Sequence, residues 1–341
     1  MVIFHPTKFG FSGINSLVVV RFILILQMEH FTTKRHFFPF YILLVLMLML
    51  MGGFGIYVIL DFYGKWGTPD FVVGDYLLLF LGGFMLMFAI FFLIMYFRNA
   101  PIIRLHQDRI AFGKESYDLK EVAALEMTGK FPFGWGISLP EEGACLTFKD
   151  GTKKYIFDIM YANGPELKVL LEKKIHNTSE PKAARIRDFN TLRMEDRKLF
   201  KGNLFLNFRA SILWLIIGIF LWHLVIVPPN HNDVFIFLAV LGIIWFPILA
   251  FSTHYFGLTN EYFFVHNHYL YWKKHVYTIS SIAEVVFESP GKGPYRLRLI
   301  TRDYQTKIYA ASTLKTKTWL KLKKALEQMG VQVRNEAFPE G

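Results

Sequence analysis

The chain has 341 residues, 53% of them hydrophobic and 19% charged, with a mean hydropathy of +0.32. That is too apolar for an ordinary soluble domain and points to membrane spans beside folded parts. A net charge of +11 favours a polyanionic neighbour, and beside apolar runs the anionic membrane face is nearer than nucleic acid. The single cysteine, Cys145, excludes an internal disulfide and a cysteine-built zinc site.

Residues 1–36 form an N-terminal segment. Within it INSLVVVRFILILQ (14–27) is short and interrupted by Arg21, which makes a poor span and a poor signal peptide. Met28 opens MEHFTTKRHFFPF, a natural entry to a first span, so translation is expected to start there. Four runs follow that contain no Asp, Glu, Lys or Arg: 37–60, 76–97, 211–227 and 234–251. A spanning helix needs about 20 apolar residues, so these predict two transmembrane hairpins, 37–97 and 211–251. Gly52–Gly53 and Gly82–Gly83 are expected at helix contacts. His223 is the one ionisable side chain in a span besides tyrosine. It reads as an intramembrane polar site or as a satisfied interhelix hydrogen bond. Lys34, Arg35, Arg98, Arg104, Lys201 and Arg209 flank the spans on one side. The loop 61–75 carries Lys65 against three aspartates, and the loop 228–233 has no Lys or Arg. The basic side is expected to be cytosolic, with both hairpins dipping outward and the termini inside.

The remaining regions, 98–177 and 252–341, repeat one pattern across a basic juxtamembrane linker, 178–210. The first begins IIRLHQDRIAFGKESYDLKEVAALE, and the second FGLTNEYFFVHNHYLYWKKHVYTISSIAEVVFE. Each has alternating strands, then Tyr-x-hydrophobic (Tyr117-Asp118-Leu119; Tyr277-Thr278-Ile279), then a strand pair. The first pair turns at Asp150-Gly151. A closing helix is expected at 164–176 with Asn163 as N-cap, and another at 313–329 capped by Ser312 or Thr313 and ended by Gly330. The second presents Leu314, Trp319, Leu322, Leu326 and Met329 to the domain.

This order resembles the bacterial pleckstrin-homology-like (PH-like) membrane proteins. The likeness rests on LTNEYFFVHN, YTISSIAEVV, YRLRLIT and LKLKKALEQ in the second copy, and on IIRLHQDRIAF, YDLKEVAALE and LTFKDGTKKYIF in the first. The resemblance implies an α+β membrane protein of the bacterial cytoplasmic (inner) membrane. It would have four transmembrane helices in two hairpins, each followed by a PH-like antiparallel β domain with a C-terminal helix. It also implies a non-enzymatic binding or assembly module.

HNHYLYWKKH (266–275) is the densest cluster of chemistry. Read as a strand through 262–272, it puts His266 and His268 on one face. They are weak candidate metal ligands that lack a third partner nearby. If the PH analogy holds, Lys273 and Lys274 occupy the turn between the first two strands, with Arg296 or Arg298 beside them, as a lipid headgroup site. The alternative is a solvated turn. SPGKGP (289–294) lacks Walker spacing, KFPFGWG (130–136) is an aromatic loop, and Cys145 sits in an apolar strand. No catalytic signature appears, so no enzyme and no cofactor are expected. The expected role is a scaffold or regulator of a membrane complex. Its partners would be the lipid bilayer, a protein, and a second copy as a further option, but not nucleic acid. The alternatives are an immunity protein shielding the envelope from a delivered toxin, and an anionic-lipid-binding module.

Overall fold

The computed structural model describes residues 30–69, 71–133, 140–176, 185–186, 197–204, 208–226, 232–270, 272–289, 291 and 293–338. Met28 and the stretch around Arg21 lie outside the described residues. Two units divide the chain, Met1–Glu180 and Pro181–Gly341.

The first unit opens with a short strand, β1 (Phe31–Thr32), ahead of two helices, α1 (Phe37–Lys65) and α2 (Gly74–Asn99). Both helices are long and apolar enough to cross a membrane. After them come β2 (Ile103–Leu105), β3 (Arg109–Phe112), β4 (Glu115–Asp118), β5 (Val122–Glu126), β6 (Lys130–Pro132), β7 (Pro140–Phe148), β8 (Lys153–Phe157) and α3 (Gly164–His176). One antiparallel sheet runs β1-β2-β3-β4. In the other, β7 pairs β8 along one edge and β5 and β6 along the other. Phe40 and Leu44 of α1 and Met95 of α2 share a buried core with Ile103, Ile110, Leu146, Ile156 and Leu171. The feet of the helices and both sheets therefore pack as one body.

Short polar ties fix those feet. Arg35 Nε donates to the Ala100 carbonyl at 2.9 Å, and its guanidinium lies 4.8 Å over both Phe40 and Phe97. A cation at the C-terminal end of α2 also complements the helix dipole. Asn163 does not cap α3 with its side chain. Instead it donates to the Thr32 carbonyl and accepts from the Lys34 amide, clamping β1 beside the closing helix.

The two helices cross where glycine allows it. A Cβ on Gly55 would stand 2.8 Å from the Gly82 carbonyl, and one on Gly82 would stand 3.0 Å from the Gly55 carbonyl. Gly53 and Gly83 have open space at their Cβ positions. Adjacent helix residues point about 100° apart, so only one of each expected pair can face the partner helix. Gly82→Leu is expected to cost about 1–3 kcal/mol through overpacking and Gly83→Leu close to nothing. Melting of the two variants in detergent, followed by size-exclusion recovery, compares them; equal midpoints would refute the crossing.

The second unit contains β9 (Arg185–Ile186), β10 (Lys198–Phe200), α4 (Phe208–Ile226), α5 (Asn232–Ser252), β11 (His254–Leu258), β12 (Tyr262–Asn267), β13 (His275–Thr278), β14 (Ile282–Glu288), β15 (Arg296–Thr301), β16 (Thr306–Ala310), α6 (Thr316–Gln328) and β17 (Gln332–Asn335). Its sheets run β10-β11-β12-β13-β9 and β16-β15-β14-β17, with β17 parallel to β14. Trp319, Leu322 and Leu326 of α6 are fully buried against both sheets, while Lys315, Lys317, Lys321 and Lys324 are exposed. Neither Ser312 nor Thr313 caps α6, which starts after Lys315 without a side-chain cap. Gly330, at φ +75°, ends it with backbone geometry that suits glycine. Four spans were expected. Among the described residues only α1 and α2 meet the length and composition of a span, and in α5 the apolar run is the shorter stretch Ala239–Ser252.

The units repeat down to single hydrogen bonds. His106 N donates to Arg109 O as Thr259 N does to Tyr262 O. Leu119 N donates to Asp108 O as Ile279 N does to Glu261 O. Each has a 3-10 turn between the fourth strand of the first sheet and the start of the second, and each has a register shift in the next strand. In both, a short strand just before the helical hairpin pairs with the strand that follows it.

Candidate functional site

The copies differ most between their third and fourth strands. In the first unit Gly113, at φ +63°, and Lys114 close β3–β4 tightly. In the second, residues 268–274 intervene between β12 and β13. The strand expected through 272 ends at Asn267, because its side chain turns the backbone. Asn267 Oδ1 accepts from Tyr269 N at 2.9 Å and Leu270 N at 2.8 Å, and its Nδ2 donates to Ala250 O in the last turn of α5. Ser252 Oγ donates to Leu249 O, and His268 N to Thr253 O. Ser312 N donates to Ser252 O, so the carbonyls of Leu249, Ala250 and Ser252 at the end of α5 are met by Ser252 itself, the Asn267 side chain and Ser312.

This loop stands at the foot of α5. Lys273 Nζ lies 4.7 Å over the Phe251 ring, and Tyr269 meets Phe246 edge-on at 5.7 Å. Trp272, Lys273 and Lys274 are exposed. Lys273 and Lys274 do not lie between the first two strands of their sheet, because β10 and β11 precede the pair they join. The α4–α5 hairpin connects the neighbouring strands β10 and β11.

Arg296 and Arg298 belong to the other sheet and are held there. Arg296 Nε donates to Glu288 Oε2 at 2.7 Å, and Arg298 Nε to Glu288 Oε1 at 2.6 Å. Glu288 and Arg298 are both buried. This is a cross-strand ion-pair cluster, and nothing brings it to Lys273 or Lys274.

His266 and His268 both pack on Tyr255, with centroids at 5.1 and 4.7 Å, although His268 lies beyond the strand. Arg197 Nη1 sits 3.0 Å from His266 Nε2. A guanidinium only donates, so Nε2 accepts and the imidazole is neutral. Arg197 reaches it by crossing Gly257, where a Cβ would stand 2.8 Å from its Cδ. Burial, then Arg197 and Lys274, push the His266 pKa down to about 4. Burial, then Lys201 and His254, do the same for His268. A metal would have to displace Arg197 at His266 Nε2. Among the described residues no three His, Cys, Asp or Glu side chains gather as a metal site. The His223 side chain lies outside the described residues. Cys145 is buried in β7 with its thiol pKa raised by that burial, which keeps it a packing residue.

Neutral buried histidines tie stability to pH. Their folded pKa lies below the ordinary 6.5, so the unfolded chain takes up protons first as pH falls. Their contribution is intact above pH 6.5 and is lost toward pH 4. The buried His266 is expected to cost on the order of 1–2 kcal/mol between pH 6.5 and 5, and the half-buried His268 less because solvent screens it. Hydrogen exchange of β11 and β12 in the intact chain reads this loss. The double variant His266→Phe, His268→Phe should flatten the response, and an unchanged slope would refute the assignment.

No family model matches the chain, and no curated protein matches it. The placement of Asn267, Arg197, Lys201 and Tyr255 therefore comes from the geometry alone. Of these only Asn267 carried a sequence signal, as an Asx-turn residue inside an apparent strand.

Proposed function

We propose that this chain is a multi-pass membrane protein whose two β-domains, PH-like in strand order and closing helix, work as non-catalytic binding modules of a membrane complex. One observation carries the reading. In each unit the strand before the helical hairpin pairs with the strand after it. The hairpin thus connects two neighbouring strands of one sheet, so a domain built this way is held at its membrane anchor by two chain crossings. The side chains of α1 and α2 add support. Leu77, Phe80, Ile94, Met49 and Tyr57 are exposed on helices that are apolar all round, a surface that needs an apolar solvent. On this reading α4 and α5 form a second hairpin, and both β-domains face the cytosol of a bacterial cell with Arg35, Arg98 and Lys201 at the basic side.

Crosslinking the tagged full-length protein in its own membranes, then identifying captured proteins by mass spectrometry, tests the binding role. A resident membrane protein crosslinked reproducibly to a β-domain is the expected result. Capture of an added envelope toxin with no resident partner would replace it with the immunity reading. Reporter fusions in the loop 61–75 test sidedness, and a cytosolic signal there would overturn the topology.

A further inference from the structure

We propose that the second unit holds an anionic phospholipid, with an acyl chain in the groove between α4 and α5 and its phosphate against Lys273 and Lys274. The inference rests on the membrane reading of these two helices and names what their cytosolic end binds. The groove measures about 600 Å³, within the roughly 300–1,000 Å³ range of small-molecule sites. Ile217 and Phe220 of α4 and Gly242, Ile243, Phe246 and Pro247 of α5 line it, almost wholly with apolar surface. Pro247 has no N–H for the Ile243 carbonyl, so the helix is weakest where the groove is lined.

The groove leads to the loop. Ile243, Pro247 and Phe251 follow one another at helical spacing along α5, and Lys273 stands over Phe251. Phe246 lines the groove and touches Tyr269. The polar end lacks partners of its own. The Tyr269 hydroxyl and His268 Nε2 are buried with no hydrogen-bond partner among the described residues. Such atoms cost stability unless a ligand or water satisfies them. Lys201, Lys273 and Lys274 pair with no carboxylate among the described residues, and 268–275 contains no Asp or Glu. An apolar groove leading to an orphan hydroxyl and Lys273, with the exposed Lys274 next in the chain, matches an acyl chain, a glycerol ester or phosphate oxygen, and a phosphate charge, in that order. The first unit has only Gly113 and Lys114 at the equivalent turn, so the site belongs to the second copy.

Two variants separate the halves of the site with little risk to the fold. Gly242 has nothing within 4 Å of its Cβ position, so Gly242→Leu fills the groove without striking protein. Lys273→Glu with Lys274→Glu reverses exposed charges. Alkaline extraction of membranes comes first. A chain released from them would end the membrane reading, whereas a retained chain with no lipid preference ends only this proposal. Full-length protein in mild detergent then receives phosphatidylglycerol or phosphatidylcholine of the same acyl length, and retained lipid is counted by native mass spectrometry. Phosphatidylglycerol should be retained roughly thirtyfold better, as two lysines at about 1 kcal/mol each predict. The double glutamate variant should erase that preference, and Gly242→Leu should lower retention of both lipids. Equal retention of the two lipids by the unmodified chain, or Gly242→Leu without effect, would overturn the proposal. Displacement of the lipid by excess inorganic phosphate would show a free-anion site instead, and would also overturn it.

Discussion

Glu288→Ala is expected to destabilise the second β-domain by about 3–5 kcal/mol. Glu288 is 1% exposed and its two carboxylate oxygens receive Arg296 and Arg298, the latter itself buried. Removing the carboxylate leaves the buried Arg298 guanidinium without the charge-assisted hydrogen bond that its Nε donates to Glu288. The effect is therefore the cost of an uncompensated buried charge rather than the worth of one bond. Replacing both partners tests this distinction. Glu288→Leu with Arg298→Leu should recover most of the loss, because a buried pair exchanged for apolar side chains is often neutral. Hydrogen exchange at the β14 and β15 amides of the intact chain reads both variants. If the single and the double variants open equally, the ion-pair account fails. The same cluster holds Arg296 and Arg298 on Glu288, in the other sheet from the strands that Lys273 and Lys274 join.

The repeat was legible in sequence because its signals are local. The Tyr-x-hydrophobic step at Tyr117 and Tyr277 marks the 3-10 turn into the second sheet in both units. Asp150-Gly151 forms the expected turn, with Gly151 at φ +83° and Asp150 accepting from Thr152 N. The burial of Leu314, Trp319, Leu322 and Leu326 follows from helical spacing. Other features carry no local signal. β1 and β10 are too short to show alternation, and only their pairing with β2 and β11 makes them strands. β17 joins its sheet in parallel after the closing helix, a long-range choice that spacing does not encode. The strand reading extends through 272 because the aromatic residues after Asn267 have strand propensity, while the Asn267 side chain overrides them and ends the strand. Arg296 and Arg298 looked available as cations because sequence does not show Glu288 opposite them.

Trp319→Ala is expected to cost about 3–5 kcal/mol, as for a large aromatic fully removed from a core. Trp319 is completely buried on α6 and touches Phe256 of β11 and Phe287 of β14, each with centroids 5.6 Å away. It is therefore the largest side chain by which the closing helix, with Leu322 and Leu326, holds the two sheets together. Its indole N–H is buried with no hydrogen-bond partner among the described residues, which makes Trp319→Phe informative. Phenylalanine loses volume, yet it also removes an N–H whose burial is uncompensated, so the two effects oppose each other. Trp319→Phe should cost less than about 1.5 kcal/mol, well below the alanine variant. Exchange at α6, β11 and β14 separates the outcomes. The alanine variant should open all three together, because one side chain joins them. Since β11 also carries Tyr255, against which His266 and His268 pack, that opening should reach the histidine cluster. Loss confined to α6 would mean that the sheets hold each other without the helix, and the loop at the foot of α5 would then be independent of the core.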